Sequence, residues 1–144
     1  MAAMLCLCMS SQAKITMSNL CTDGMVLQQN SEAAVWGTAT PGALVTVTPS
    51  WNGSSYKGKA DADGRWTVKV STPAASYKQH SMTVKGDGSS IRINDVLVGE
   101  VWFASGQSNM EMPMRGFYNC PVENALEYIS GPAATEKIRM FTVP

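Results

Sequence analysis

The chain has 144 residues, of which 44% are hydrophobic, and its 11 basic and 11 acidic residues give a formal net charge of zero. A chain of this length can bury a real core, and its length predicts about one ordinary domain. Neither sign of charge forms a long run, which argues against nucleic acid or an anionic membrane surface as the main partner. No apolar stretch of the sequence is long enough to span a bilayer.

The N-terminus has the features of a secretory leader. Residues 2–9 are a short apolar core, and Ser11-Gln12-Ala13 supplies small residues at the two positions that a signal peptidase inspects. A basic segment before the apolar core is missing, and the alternatives are a buried first strand or a frayed terminus. We expect residues 1–13 to be a signal peptide and the protein to be exported, to the periplasm or the extracellular space.

Residues 14–94 show the pattern of short strands and turns. Apolar residues alternate with polar ones around Val45, Trp66 and Ile91, which places one face of each strand in a core and the other in water. Five dipeptides with turn chemistry separate these segments: Asp23-Gly24, Pro41-Gly42, Asn52-Gly53, Asp63-Gly64 and Asp87-Gly88. The sequence predicts an all-β, antiparallel, sandwich-like domain.

The pattern changes at residues 95–144. Val101-Trp102-Phe103-Ala104 predicts a strand buried on both faces. A helix is expected from Pro121 to the stop signal Gly131-Pro132, because Val122, Ala125, Leu126 and Ile129 share one helical face. Residues 137–143 predict another strand. Strand, helix and strand open a parallel α/β sheet, and one such unit cannot cover both sheet faces, so we expect a truncated α/β domain.

The pentapeptide Gly106-Gln107-Ser108-Asn109-Met110 follows the predicted buried strand. A serine at the end of such a strand is held at the edge of the sheet, where acyl-transfer chemistry needs its hydroxyl. The segment is not the Gly-x-Ser-x-Gly elbow, because Met110 replaces the second glycine. The alternative is a turn without catalytic function, which is the usual role of Gly, Ser and Asn together.

The longer block Asp95-Val-Leu-Val-Gly-Glu-Val-Trp-Phe-Ala-Ser-Gly-Gln-Ser-Asn-Met-Glu-Met-Pro113 resembles the first conserved block of the sialate O-acetylesterase family. These are serine esterases of the SGNH-hydrolase superfamily. Segments from Asp23, Val35 and Ala60 resemble the β-domain that precedes the catalytic domain in bacterial members. The resemblance implies Ser108 as the nucleophile for an acetyl ester, with its backbone N–H as an oxyanion donor. It implies an acetylated glycan or sialic acid substrate, and neither a cofactor nor a metal.

In that family the acid and base of the triad lie near the C-terminal end of the catalytic domain, and no matching Asp-x-x-His is present here. His80, the only histidine, is interpreted as a strand residue. We therefore expect the chain alone to be inactive. Gln107, Asn109 and Arg115 are weaker substrate-binding candidates, whose alternatives are loop-fixing or solvated roles, and Glu111 is interpreted as loop-fixing.

A non-catalytic, carbohydrate-binding or structural β-module with a vestigial esterase segment is the rival hypothesis. Trp51 is the tryptophan expected to be most exposed, and Trp66 is expected in the core. Cys21 and Cys120 are expected to be separate buried thiols, although export would permit a disulfide between them. The sequence has no spacing typical of a zinc site.

Overall fold

The computed structural model describes residues 14–131 and 138–142, which form two compact units. The first unit ends at Glu100 and the second begins at Val101. The expected signal peptide at residues 1–13 lies outside the described residues.

Strands form the first unit, as the alternating pattern predicts, and its described residues contain no helix. The strands are β1 (Thr16–Met17), β2 (Val26–Gln28), β3 (Glu32–Thr38), β4 (Leu44–Pro49), β5 (Tyr56–Lys59), β6 (Arg65–Ser71), β7 (Ser76–Gly86) and β8 (Ser89–Gly99). The glycine of all five predicted turn dipeptides has a positive φ. At Gly64 a side chain is doubly excluded, because φ is +77° and a Cβ would lie 2.5 Å from the Ala39 carbonyl oxygen.

These strands make two sheets. The three-stranded sheet has the order β1-β3-β6, and the five-stranded sheet has the order β2-β8-β7-β4-β5. Every pair is antiparallel, as predicted, except that β2 runs parallel to β8, with Val26 opposite Leu97. A parallel pair needs a long connection, and β2 and β8 lie at opposite ends of the unit's sequence.

Both sheets contribute apolar side chains to one core. Trp66, Val68 and Val70 of β6 are buried, while the residues between them are exposed. Val45 and Val47 of β4 show the same alternation and have no exposed surface. Each such side chain contributes about 1.5–3 kcal/mol relative to an exposed one. The predicted alternation is therefore confirmed at these strands, and it supplies the main stabilising term of the unit.

Strand β8 crosses the boundary that the sequence predicts after Asn94. Asp95 has a left-handed φ of 53°, and the β7–β8 register shifts between His80 and Met82, next to this residue. The strand continues past this bulge to Gly99, with Val96, Leu97 and Val98 buried. The structure thus moves the end of the β-unit to Glu100, because the second half of β8 belongs to its core.

Little regular structure occurs in the second unit. Its elements are a 3-10 helix (Ser108–Glu111), strands β9 (Gly116–Phe117) and β10 (Cys120–Pro121), which pair antiparallel, and helix α1 (Ala125–Ser130). The helix is shorter than predicted, because Pro121 lies in β10 and Asn124 adopts a left-handed φ of 56° immediately before Ala125. It ends at Ser130, and Gly131 caps it, which agrees with the expected stop signal at Gly131-Pro132.

The two predicted strands of an α/β sheet are not observed. Residues 101–104 form no strand, and Trp102 and Phe103 are each 87% exposed. Residues 138–142 also form no strand, and the remainder of the strand predicted at residues 137–143 lies outside the described residues. A strand requires a hydrogen-bonded neighbour, and in the described part of this unit the only paired strands are β9 and β10.

Candidate functional site

Ser108 begins the 3-10 helix that follows the extended segment. The Gln107 carbonyl accepts a hydrogen bond from the Met110 N–H at 2.9 Å, and the Asn109 carbonyl accepts one from the Met112 N–H at 3.3 Å. These bonds wind the chain into a tight turn. Ser108 is exposed, so a substrate can reach its hydroxyl.

Gly106 permits the close packing of this turn. A Cβ at this position would lie 2.8 Å from the Met110 Cγ atom, which is closer than real side-chain contacts. Met110 itself is half exposed. A side chain at residue 106 would therefore force the Met110 side chain to shift, so Gly106 and Met110 fit each other within this turn.

The other predicted site residues lie along the same segment. Gln107, Asn109 and Glu111 are exposed, within four residues of one another around Ser108. Arg115 is also exposed, and its carbonyl accepts a hydrogen bond from the Val122 N–H at 3.4 Å. The structure therefore places all the site residues predicted from the sequence in the second unit.

Arg115 borders an open depression of about 590 Å³. Its other lining residues are Pro113, Gly116, Phe117, Tyr118 and Pro121. A guanidinium group pairs with carboxylates, and aromatic side chains offer flat apolar surface. The depression suits an anionic ligand with an apolar face. The sequence pointed to Arg115, but not to Phe117 and Tyr118, because their grouping depends on the β9–β10 hairpin.

Glu100, which the sequence did not single out, is tied to β2 immediately before the serine segment. Its two carboxylate oxygens accept hydrogen bonds from the side-chain amides of Gln28, at 3.0 Å, and Gln29. The Gln29 N–H also donates to the Gly99 carbonyl at 2.8 Å. The hydrogen bond from Gln28, and then that from Gln29, lowers the pKa of Glu100. This network fixes the residue from which the segment containing Ser108 departs.

His80 does not have the surroundings of a catalytic base. It lies in β7, is 9% exposed, and meets the Trp51 ring edge-on with 5.5 Å between the ring centroids. Burial, and then the positive charge of Lys78, lowers the pKa of His80. Its role as a strand histidine packed in the β-unit agrees with the sequence interpretation.

The tryptophans are distributed differently from the expectation. Trp66 is 1% exposed, as predicted, but Trp51 is half-buried against the core and its indole N–H donates to the Ser71 carbonyl at 2.9 Å. Trp36 and Trp102 are the exposed ones. The prediction for Trp51 was wrong, because its ring packs against the core and against His80.

Of the cysteines within the described residues, Cys21 and Cys120 are both free thiols, and Cys21 alone is buried. Burial raises the pKa of the Cys21 thiol, more than a hydrogen bond to the Trp36 backbone lowers it. The expectation that Cys120 is buried was wrong, since it lies exposed in the β9–β10 hairpin.

No group of His, Cys, Asp or Glu within residues 14–131 and 138–142 is arranged to hold a metal ion. Over the same residues, no helix is both long and apolar enough to cross a membrane.

The known proteins that are similar to this chain in sequence share one name, sialate O-acetylesterase. No protein-family profile matches the chain. The sialate O-acetylesterase of Mus musculus is 34% identical over 127 residues, which cover 83% of this chain and 23% of that protein. The sialate O-acetylesterase of Homo sapiens is 33% identical over the same shares. The chain thus spans about a quarter of the length of these relatives.

A solved structure is also similar. The crystal structure of a carbohydrate acetylesterase from Xanthomonas citri matches with a TM-score of 0.62 and 40% sequence identity. The match covers 70% of this chain and 23% of that one.

Proposed function

Since this chain belongs to the sialate O-acetylesterase family, as a homologue that spans about a quarter of its relatives, we propose that it carries the nucleophile of a carbohydrate O-acetylesterase. Ser108 is that nucleophile. The observation that carries the proposal is the exposed Ser108 in a tight turn. The chain is also 40% identical to a carbohydrate acetylesterase, over a match that covers 70% of this chain.

The chemistry is acyl transfer in two steps. The Ser108 oxygen attacks the acetyl carbonyl carbon, the bond to the sugar oxygen breaks, and the sugar leaves with the serine proton. Water then releases acetate from the acyl-enzyme. The Ser108 backbone N–H is one donor to the oxyanion. Neither a metal nor an organic cofactor is required for this sequence of steps.

The substrate is an acetylated carbohydrate, sialate-type by analogy with the names of the relatives. Arg115, with Phe117 and Tyr118 beside it, supplies a site for the carboxylate and one face of such a sugar. Gln107 and Asn109 border the nucleophile and are the nearest side chains for further polar contacts.

The 144 residues alone are proposed to be inactive. A serine hydroxyl needs a general base to remove its proton, and the only histidine, His80, is packed in the β-unit beside Trp51. We expect the chain to hydrolyse p-nitrophenyl acetate no faster than its Ser108→Ala variant. Turnover that disappears in this variant would contradict the proposed inactivity.

A chimera tests the nucleophile directly. In the Xanthomonas citri enzyme, the region that aligns with this chain is replaced by this chain. We expect the chimera to hydrolyse p-nitrophenyl acetate and Ser108→Ala to reduce the rate by about 10³-fold or more. Ser105→Ala is the matched control, because Ser105 is an exposed serine three residues away. A Ser108→Ala chimera as active as the Ser105→Ala chimera would refute the assignment.

We also propose that the protein is exported, with residues 1–13 as its leader. Sequencing the N-terminus of the protein recovered outside the cytoplasm should begin at Lys14. Recovery of a chain that retains Met1, from the cytoplasm alone, would contradict export.

A further inference from the structure

Four cations share the outer face of the five-stranded sheet. Thr46 of β4 pairs with Lys57 of β5 on one side and with Lys85 of β7 on the other. Adjacent strands are about 4.8 Å apart, so Lys57 and Lys85 stand about 10 Å from each other across Thr46. The buried residues of the same strands, such as Val45 of β4 and Val84 of β7, point to the opposite face.

The remaining two cations extend the same face. Lys59 lies two residues beyond Lys57 on β5, and Arg92 of β8 pairs with Thr83, two residues from Lys85. All four side chains are exposed. We call Lys57, Lys59, Lys85 and Arg92 the cationic face.

No acidic residue balances these charges within the strands that carry them. Strands β4, β5 and β7 contain no Asp or Glu, and β8 contains only Asp95, which lies at the bulge rather than in the paired rows. In a chain whose net charge is zero, this segregation creates a local positive potential.

Polar side chains between the cations can bind hydroxyl groups. The Arg92 guanidinium donates to the Ser81 hydroxyl at 3.0 Å and to the Asn94 side-chain oxygen at 3.2 Å, which fixes its direction. Thr46, Thr48 and Thr83 lie at the paired positions between the charged residues. The face is therefore cationic and rich in hydroxyls.

We propose that the cationic face binds a linear polysaccharide that carries carboxylates. The choice of a sugar polymer rests on the proposed function, and the anionic character rests on the charges alone. A single-stranded nucleic acid fits less well, because binding of unpaired bases uses aromatic stacking platforms. The residues paired with the four cations are not aromatic: they are Leu44, Thr46, Thr83 and Ser90. Binding here would hold an acetylated polymer on the protein independently of the esterase chemistry.

The test uses the whole chain and two matched polymers. Carboxymethyl-dextran and unmodified dextran share one backbone and differ in the carboxylates. By calorimetric titration we expect binding of carboxymethyl-dextran alone, weakened when NaCl is raised from about 50 mM to about 500 mM. The double variant Lys57→Glu/Lys85→Glu should weaken binding by about tenfold or more.

The control places the same charge change on the other sheet. Arg65→Glu/Lys69→Glu reverses two exposed cations of β6, on the three-stranded sheet, and should retain binding close to that of the unmodified chain. Thermal melting of both double variants checks that they are folded. Ser108→Ala should also bind unchanged, so a failure of the nucleophile assignment does not affect this result.

Three outcomes would overturn the proposal. They are no binding of carboxymethyl-dextran, equal weakening by the two double variants, or tighter binding of a single-stranded oligonucleotide through the same lysines. The last would identify a nucleic-acid surface instead.

Discussion

Gly64 and Gly53 both lie in turns with positive φ but differ in the space around them. A Cβ at Gly64 would lie 2.5 Å from the Ala39 carbonyl oxygen, whereas at Gly53 nothing lies within 4 Å. We expect Gly53→Ala to cost about 1 kcal/mol from the backbone alone. Gly64→Ala should cost about 2 kcal/mol more, since the turn must move. Urea unfolding measures both variants, and equal losses would show that the turn at Gly64 relaxes freely.

Glu100 gives a pH-dependent prediction at the same scale. Its pKa is lowered in the folded chain from its ordinary value of 4.5. The stability it contributes is therefore fully present above pH 4.5 and is lost as the pH falls through the lower, folded pKa. Glu100→Gln should lower Tm at neutral pH, and its difference from the unmodified chain should shrink as the pH falls below 4.5. A difference that stays constant with pH would show that the carboxylate charge is not involved.

Strand β8 carries the prediction at the scale of elements. A protein of residues 14–94 lacks Val96, Leu97 and Val98, all buried, and also the partner of β2. We expect residues 14–100 to fold alone, with a circular dichroism spectrum of strand and almost no helix. Residues 14–94 should unfold at a markedly lower urea concentration, because several buried apolar side chains are lost. Equal midpoints would mean that the β-unit ends where the turn pattern ends.

The elements also show what the sequence can predict. Alternation at Trp66, Val68 and Val70 and the Asp-Gly turns identify the strands, because period-two burial and positive-φ glycines are local properties. Residues 101–104 are apolar enough for a buried strand, yet no strand forms there, since a strand depends on a partner elsewhere in the chain. In the site, the serine turn was identified from the sequence. The contribution of Phe117 and Tyr118 to the depression beside Arg115 was not identified, because the short β9–β10 hairpin that groups them has no periodic pattern in the sequence.

Across the described residues, the two units differ in how far large apolar side chains are shielded from solvent. Trp66 is 1% exposed, whereas Trp102, like Phe103, is 87% exposed. Native-state hydrogen exchange should find the amides of residues 102–104 exchanging much faster than those of residues 66–70, which belong to a paired strand with a buried face. Iodide should quench Trp102 fluorescence in a Trp36→Phe background. Equal protection of the two segments in a monomer would show that the second unit is covered in solution.

The parallel pairing of β2 with β8 determines when this protein can finish folding. Gln29 and Glu100 are 71 residues apart, and β2 meets its neighbour only after nearly the whole β-unit has been made. Contacts of such sequence separation slow folding, because a long loop must close before they form. A chain that emerges from its N-terminus, in synthesis or in export, leaves β2 without its partner strand until Gly99 has emerged. The pairing of β2 with β8 completes the five-stranded sheet. The same step brings Glu100 to Gln28 and Gln29, and so anchors the chain ahead of Ser108.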